Sequence, residues 1–397
     1  MKLLTVEDAR SRMLLGVRAL ATESVPLASG LGRVLAEDIR ATRSQPPFDA
    51  ASMDGWAVRS ADGSMARRPV GESAAGHGFV GAVEAGDAVR IFTGAPIPAG
   101  ADTVVMQEDV RHEGGRVWMD PPPTSANTRA AGKDFAAGAT LLRAGVNLDP
   151  WRLALAAAAG YSQVKVFSRP RMMILSTGDE VVAPGETPGP MQVYDSGTTA
   201  LSALATRWGV ADPTLVHARD DEESIAAAVA GFGGDLVVTL GGASVGDHDL
   251  VKPALGRLGL DLAVESVAMR PGKPTWCGRL TDGRPVLGLP GNPASALVCA
   301  ELFLRPLLRA LQGARPGPSL ACAQLASPLK ANGPREHWMR ARISNDGRGV
   351  VLVHPLSDQD SSLVSVFADA DALLRRPAGA GPAAVGDLAD ILRLDRL

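Results

Sequence analysis

Apolar and polar positions change their spacing several times along the chain, and each change predicts a different kind of element. At residues 1–40, Val6, Met13, Leu14, Val17 and Leu20 make a helical stripe, and Thr5 followed by Asp8 resembles a capping box. Leu31, Val34 and Leu35 predict a second, short helix. Over 41–135 helical spacing stops, and Gly, Pro and short alternating runs predict a small β domain. Within it, Val104–Gln107 and Arg116–Met119 read as strands flanking a hairpin turn at Glu113-Gly-Gly. Helix returns over 136–168, with Asp149 as cap, Pro150 at the first helical position and Gly160 as stop.

From residue 169 the pattern is short unbroken apolar runs, Met172–Leu175 and Leu236–Leu240, separated by helical spacing around Ile225 and Val229. Such runs are strands buried on both faces, as in a parallel sheet. Pro213–Val216 and Val264–Met269 read as further strands, and Thr275–Leu280 with Val286–Leu289 as a hairpin about Asp282-Gly283. A Gly/Pro-rich stretch at 313–318 separates this segment from alternating runs that suit a small β barrel, with a hairpin at Asn345-Asp-Gly347. The predicted fold is therefore multidomain α/β plus β. A helical scaffold (1–40 and 136–168) carries an inserted β domain (41–135). A doubly wound, mostly parallel α/β domain (169–313) and a C-terminal β-barrel domain (314–397) follow.

Composition narrows the function. At 397 residues with 46% hydrophobic content, several packed cores are expected. A net charge of −3, with basic residues scattered, argues against nucleic acid or an anionic membrane as main partner. No apolar run approaches the ~20 residues of a membrane span, and the N-terminus lacks a signal peptide's apolar core. Cys277, Cys299 and Cys322 have no metal-ligand spacing and read as buried small apolar residues, so a cytoplasmic setting is expected. The six histidines are dispersed and read as surface or loop residues, although His248 lies inside the stretch considered next.

The chemistry concentrates at turns after predicted strands, the edge where open α/β sheets bind ligands. Gly241-Gly242 permit a tight turn, Ser244 offers a hydroxyl, and Asp247 and Asp249 precede a helix that Asp249 could cap. A strand, a Gly-rich turn and a helix start favour an anion. Carboxylates beside a phosphate site suggest Mg²⁺, for which one or two carboxylates are usual. Arg270 and Lys273 sit on a proline-bounded turn, and Asn292-Pro293 start a helix carrying Ser295. Glu180, Asp195, Asp220, Asp247 and Asp249 all fall at strand ends or helix starts. Singly such residues are as often caps as ligands, and the loops bearing Asp54, Thr93 and Asp134 are singly more often plain turns.

Read together, these stretches resemble the molybdopterin molybdenumtransferases (MoeA and the gephyrin E domain). The resemblance rests on Gly-Gly-x-Ser-Val-Gly-x-x-Asp at 241–249, Arg-Pro-Gly-Lys-Pro at 270–274 and Gly-Leu-Pro-Gly-Asn-Pro-x-Ser at 288–295. Ser-Thr-Gly-Asp-Glu at 176–180 and Tyr-Asp-Ser at 194–196 add to it. Met-Asp-Gly-aromatic-Ala at 53–57 and Thr-Gly-Ala-Pro-x-Pro-x-Gly-Ala-Asp at 93–102 set it apart from the smaller molybdopterin adenylyltransferases of the same fold. Two positions depart from the family. Lys133 stands where Glu is usual, and Arg270 where many relatives have Lys.

The resemblance implies insertion of molybdate into adenylated molybdopterin, with Mg²⁺-dependent cleavage of the adenylate and release of AMP. It implies functional Asp54, Thr93, Asp134, Glu180 and Asp249, with Asp249, Asp247 and Glu180 as Mg²⁺ ligands. Arg270, Lys273, Ser295, Arg340, Ser361 and Ser362 would hold molybdate. Gly241, Gly242, Ser244, Ser176, Asp195 and Asp220 would hold the pterin and its phosphates. It further implies a homodimer whose active site is shared between subunits, with possible contacts to the adenylyltransferase and to apo-molybdoenzymes. Two alternatives stay open: an ATP-using adenylyltransferase, and a non-catalytic gephyrin-like scaffold.

Overall fold

The computed structural model of the chain describes residues 3–119, 127–242, 250–317 and 319–395. It divides into two compact units. One comprises Met1–Glu23, Gly32–Val34 and Val166–Leu397, and the other Ser24–Leu31 and Leu35–Lys165.

Helix α1 (Val6–Leu14) is capped as expected: Thr5 Oγ1 accepts from the Asp8 amide at 3.0 Å. It ends before Val17 and Leu20, because Leu15 leaves helical dihedrals and Gly16 turns at φ +70°. No helix forms at 31–35. A single 3-10 turn covers Leu27–Ser29, and Val34 and Leu35 are buried from extended chain. Their apolarity encodes burial, not helical spacing.

The second unit is built on a four-stranded sheet of β1 (Gly55–Val58), β2 (Arg68–Ser73), β3 (Asp87–Ile91) and β4 (Thr103–Met106), in the order β2-β3-β1-β4. Only the β2–β3 pair is parallel. Both faces are covered. Ala57, Val89, Ile91 and Val104 pack on one side, and Trp56, Val58, Ala88 and Val105 on the other with Val117 and Met119. The Gly114-Gly115 turn does close a hairpin, but its arms are β5 (Val110–Glu113) and β6 (Arg116–Met119). The run at 104–107 instead supplies β4. The mispairing has a simple cause: β5 is exposed from Arg111 onward and carries no apolar alternation. Helix α2 (Pro150–Ala158) starts at Asp149, whose Oδ1 accepts from the Arg152 amide at 2.8 Å.

In the first unit, β7 (Met172–Thr177), α3 (Ser196–Arg207), β8 (Thr214–Ala218), α4 (Glu222–Ala230), β9 (Leu236–Leu240), α5 (Val251–Gly256) and β10 (Asp261–Val264) follow in order. Then come β11 (Met269–Arg270), β12 (Trp276–Arg279), β13 (Pro285–Leu289) and α6 (Pro293–Cys299), with a π-helical stretch, Ala300–Leu304, and α7 (Arg305–Leu311) continuing from α6. The sheet runs β8-β7-β9-β13-β12-β10. Its first four strands are parallel, and β12 and β10 are antiparallel. Successive residues of β7 and β9 enter opposite cores. Met172, Ile174, Leu236 and Val238 pack with α1, α3 and α6, while Met173, Leu175 and Val237 pack with α4 and α5. That double burial is why these strands read as unbroken apolar runs.

The strand expected over 264–269 is two. β10 stops at Val264, and β11 pairs instead with the C-terminal sheet. That sheet, β14 (Leu320–Leu325), β15 (Glu336–Asn345), β16 (Val351–Pro355), β17 (Ala372–Arg376) and β18 (Leu388–Arg393), closes into a five-stranded barrel because β15 pairs with both β16 and β17. Leu325, Ala341, Val353, Leu374 and Ile391 fill it. A short helix α8 (Val364–Ala368) lies between β16 and β17. No helix among the described residues is long and apolar enough to cross a membrane.

Candidate functional site

The first unit holds a cavity of about 1060 Å³ at the carboxyl ends of β7, β9 and β13. Each wall follows from a local rule. Beyond β9, Gly241 and Gly242 adopt φ of +93° and +59°, and a Cβ on Gly291 would lie 3.5 Å from the Gly241 Cα, so two glycine turns meet closely. Beyond β7, Gly178 at φ +120° leaves space for the Glu180 carboxylate, whose Oε2 would be 2.4 Å from any Cβ there. Asp195 caps α3, accepting from the Thr198 amide at 2.8 Å, and so stands on the cavity wall.

The described charged residues lining the cavity are Glu180, Asp195, Glu265 and Lys273. Lys273 is thus the single cation facing three carboxylates. It is held by a turn in which Gly272, φ +107°, packs on Cys299: a Cβ would come 2.3 Å from Sγ. Burial pushes the Cys299 thiol up to about 12. Cys277 is also buried, but Cys322 is exposed, contrary to expectation, because it sits on an outward position of β14.

Among the other expected residues, Gly241, Gly242, Ser176 and Ser362 line the cavity, whereas Arg270, Ser295, Arg340, Ser361 and Asp220 do not. Ser295 is buried within α6, and Arg270 is exposed on β11. Asp220 does not begin a helix. Asp221 caps α4 instead, accepting from the Ser224 amide at 2.7 Å. Asn292 stands at the start of α6 without a side-chain cap bond. Its Nδ2 donates to Ser361 Oγ at 3.0 Å, tying the Gly-Asn-Pro turn to the 358–362 turn. Leu250 occupies the cap position of α5. Ser244, Asp247, His248 and Asp249 lie outside the described residues.

Arg340 is fully buried on β15. Its Nη2 donates to the Asp360 carbonyl at 2.8 Å, and its main chain exchanges two bonds with the Gln359 amide. Nε and Nη1 have no partner among the described residues. Burial lowers its pKa most, Asp358 and Asp360 oppose that, and Arg270 adds to it. Asp360 in turn is held below the usual carboxylate range by the Ser362 hydroxyl and amide. A buried guanidinium with two idle donors is costly unless an acceptor arrives. His337, expected at the surface, is also buried on β15, and its Nε2 has no partner among the described residues. Burial first, then Arg270, Arg340 and Arg335, push it down to about 4, so it is neutral near pH 7. His217, on β8 beside β7, pairs its Nδ1 with Ser176 Oγ at 3.1 Å. Neither histidine carries a sequence signal, since strand pairing alone brings each to its neighbours.

The second unit gathers the other expected residues. Asp54 Oδ1 accepts from both the Thr93 amide and hydroxyl. Asp49 Oδ1 accepts from the Ala131 amide at 2.8 Å, and the Asp134 amide donates to the Gln45 carbonyl at 2.9 Å. The Ile97 amide donates to the Asp49 carbonyl at 2.8 Å. Three loops distant in sequence, around 45–54, 93–97 and 130–135, therefore form one stitched surface. Asp54, Lys133 and Asp134 are exposed on it. Asp49 was not singled out; its signal is only its place in the Pro-Phe-Asp turn.

Residues 4–160 match the family described as MoeA N-terminal region (domain I and II), residues 173–310 a probable molybdopterin binding domain, and residues 322–394 the MoeA C-terminal region (domain IV). A molybdopterin molybdenumtransferase of Nostoc sp. is 39% identical over 335 residues, 80% of this chain and 76% of the relative. One from Haemophilus influenzae is 35% identical, covering 92% of each chain. The crystal structure of a molybdopterin biosynthesis moea protein from Pyrococcus horikosii superposes with a TM-score of 0.82 at 31% identity, covering all of both chains.

Proposed function

Because the chain belongs to the molybdopterin molybdenumtransferase family, transferases that insert molybdenum in molybdenum cofactor biosynthesis, we propose that its reaction joins molybdate insertion to cleavage of an adenylated molybdopterin. The anhydride between the pterin phosphate and AMP breaks, water supplies the oxygen, and AMP leaves. The observation that carries this reading is the cavity itself. It is large enough for a pterin with its phosphates, and it opens where two glycine turns and a helix start meet beyond the strands, a setting that favours anions.

In this reading Gly241, Gly242, Ser244 and Ser176 hold the pterin and its phosphates, while Asp195 bounds that side. Lys273 and Ser362 face the ligand. Ser361, tied to the wall residue Asn292, with Arg270, Ser295 and Arg340, is proposed to supply the remaining oxyanion donors. The idle Nε and Nη1 of Arg340 suit a dianion, since a guanidinium presents its donors as a fork. No nucleophilic side chain is required; positioning and charge stabilisation do the work.

The donor set is compatible with Mg²⁺. No three Asp, Glu, His or Cys side chains converge among the described residues. Mg²⁺, however, needs only one or two carboxylates besides phosphate oxygens, and Glu180 is on the wall. Glu180 with Asp247 and Asp249 would hold it. Three wall carboxylates against one lysine also make a counter-cation necessary for any polyphosphate. When bound, Mg²⁺ neutralises and polarises the phosphoryl oxygens.

The proposed assembly is a cytoplasmic homodimer in which Asp54, Thr93 and Asp134 of one copy complete the site of the other. A mixed dimer of an Asp54→Ala chain with a Glu180→Ala chain tests it. About half of the wild-type activity per dimer supports a shared site, and no recovery counts against it.

The reaction is tested by AMP release from purified protein, adenylated pterin and Mg²⁺, with and without molybdate, alongside reconstitution of a cofactor-free molybdoenzyme. Molybdate-dependent release with reconstitution is expected. Consumption of ATP to adenylate free pterin would replace this reading with an adenylyltransferase. A folded dimer doing neither would leave a scaffold role.

A further inference from the structure

We infer that Arg90 is a positioning residue for Asp54, holding the turn that carries the carboxylate in register with the loop that carries Thr93. The inference rests on the reading of Asp54 as functional.

The geometry lies within the four-stranded sheet. Arg90 on β3 stands opposite Trp56 on β1 in the antiparallel register. Its Nη1 donates to the Gly55 carbonyl at 3.0 Å, and its Nη2 donates to Gln107 Oε1 at 2.6 Å. The Gln107 amide in turn donates to the Asp54 carbonyl at 3.1 Å. One guanidinium therefore holds the Gly55 carbonyl directly and the side chain of Gln107, the residue whose backbone N–H holds the Asp54 carbonyl. Its plane is kept in place by two rings, with the Phe92 centroid at 4.9 Å and the Trp56 centroid at 5.9 Å.

The turn is fixed from the opposite side as well. A Cβ on Gly55 would lie 1.8 Å from the Val105 carbonyl oxygen, so the chain here is pressed against β4. Arg90 closes the remaining direction. Thr93, which grips the carboxylate, is three residues further along the chain from Arg90. The strand that supplies the anchor thus leads directly into the loop that supplies the grip. Two acceptors on two chain segments call for two donors in a fixed plane. Lysine keeps the charge but acts as a point donor.

The test is a mutant cycle on molybdate-dependent AMP release by the full-length protein, with Arg90→Lys, Asp54→Asn and both together. Arg90→Lys is expected to lower kcat about tenfold at unchanged KM, since small misplacements of a reacting group cost heavily. The double variant is expected to match Asp54→Asn alone. The Asp54 carboxyl titration, read by carbon NMR, should move upward in Arg90→Lys, because the charge is displaced from the carboxylate. Wild-type kcat in Arg90→Lys with an impaired Asp54→Asn overturns this inference and leaves the reading of Asp54 intact. Deficits that multiply in the double variant also overturn it, since Arg90 would then act elsewhere. Wild-type activity in Asp54→Asn removes the reading of Asp54, and the inference with it. Should Arg90→Lys not fold, Gln107→Ala removes one arm of the anchor while leaving the backbone bond. It is expected to lower kcat about threefold, non-additively with Asp54→Asn, and an unchanged kcat overturns the inference.

Discussion

Thr93 donates twice to a single carboxylate oxygen of Asp54, from its amide and from its hydroxyl, both at 2.7 Å. The amide first and the hydroxyl second hold Asp54 below the usual aspartate range, and Arg90 adds to this against a small opposing effect of burial. The carboxylate is solvent-exposed yet preset as an acceptor. Thr93→Val removes the hydroxyl and keeps the shape. The NMR titration midpoint of Asp54 is expected to rise, and the acid limb of the pH–activity profile to move up with it. An unmoved midpoint would show that the hydroxyl bond is not made.

Arg340 is a buried cation with idle donors, so the apo protein carries a cost that an oxyanion relieves. Molybdate at a hundredfold excess over its Kd is expected to stabilise the protein by about 2.7 kcal/mol, read as a rise in Tm. Arg340→Met should abolish the molybdate-dependent rise while leaving the ligand-free Tm at or above that of wild type. A retained rise would remove Arg340 from the oxyanion site.

His337 has a pH signature of known sign. Its folded pKa is depressed, to about 4, below the ordinary 6.5. The unfolded chain therefore takes up the proton first as pH falls. The stability contributed by the neutral, buried ring is full above about pH 6.5 and is lost progressively between there and pH 4, on the order of 3 kcal/mol in all. Urea titrations across this window should show the slope in wild type and a flatter curve in His337→Gln. Parallel curves would mean that burial, with Arg270, Arg340 and Arg335, does not hold the ring neutral as described.

Gly272 is strained for any other residue on two counts, φ +107° and contact with Cys299 Sγ. Gly272→Ala is expected to cost about 1–3 kcal/mol and to raise KM by displacing Lys273. Adding Cys299→Ala relieves the contact but not the dihedral, so a chemical-denaturation series should recover only part of the loss. Full recovery would mean that the backbone conformation itself carries no strain.

Much of this protein was decided by local rules that a sequence displays openly. Leu236–Leu240 reads as a doubly buried strand because its residues are apolar apart from the β-branched Thr239, and β9 is that strand. Thr5, Asp149 and Asp195 sit where helices begin, and each accepts the amide bond that a cap provides. Glycine turns after strands marked the sheet edge where the cavity lies. The motifs at 53–57, 93–102, 241–249 and 270–274 carried the family. Tertiary structure decided which polar groups find one another across long stretches of chain. Asn292 looked like a cap by spacing, yet its amide turns to Ser361, sixty-nine residues on. His337 reads as a surface or loop residue in the sequence, and barrel closure buried it together with Arg340. β5 escaped notice because exposed strands need no apolar alternation. Ser176 meets His217, and Arg90 meets Gly55 and Gln107, only through strand pairing. Hydrophobic periodicity and capping are properties of a few neighbouring residues, so they are written in order along the chain. Partnership between distant polar side chains depends on register and closure, which only the folded chain sets.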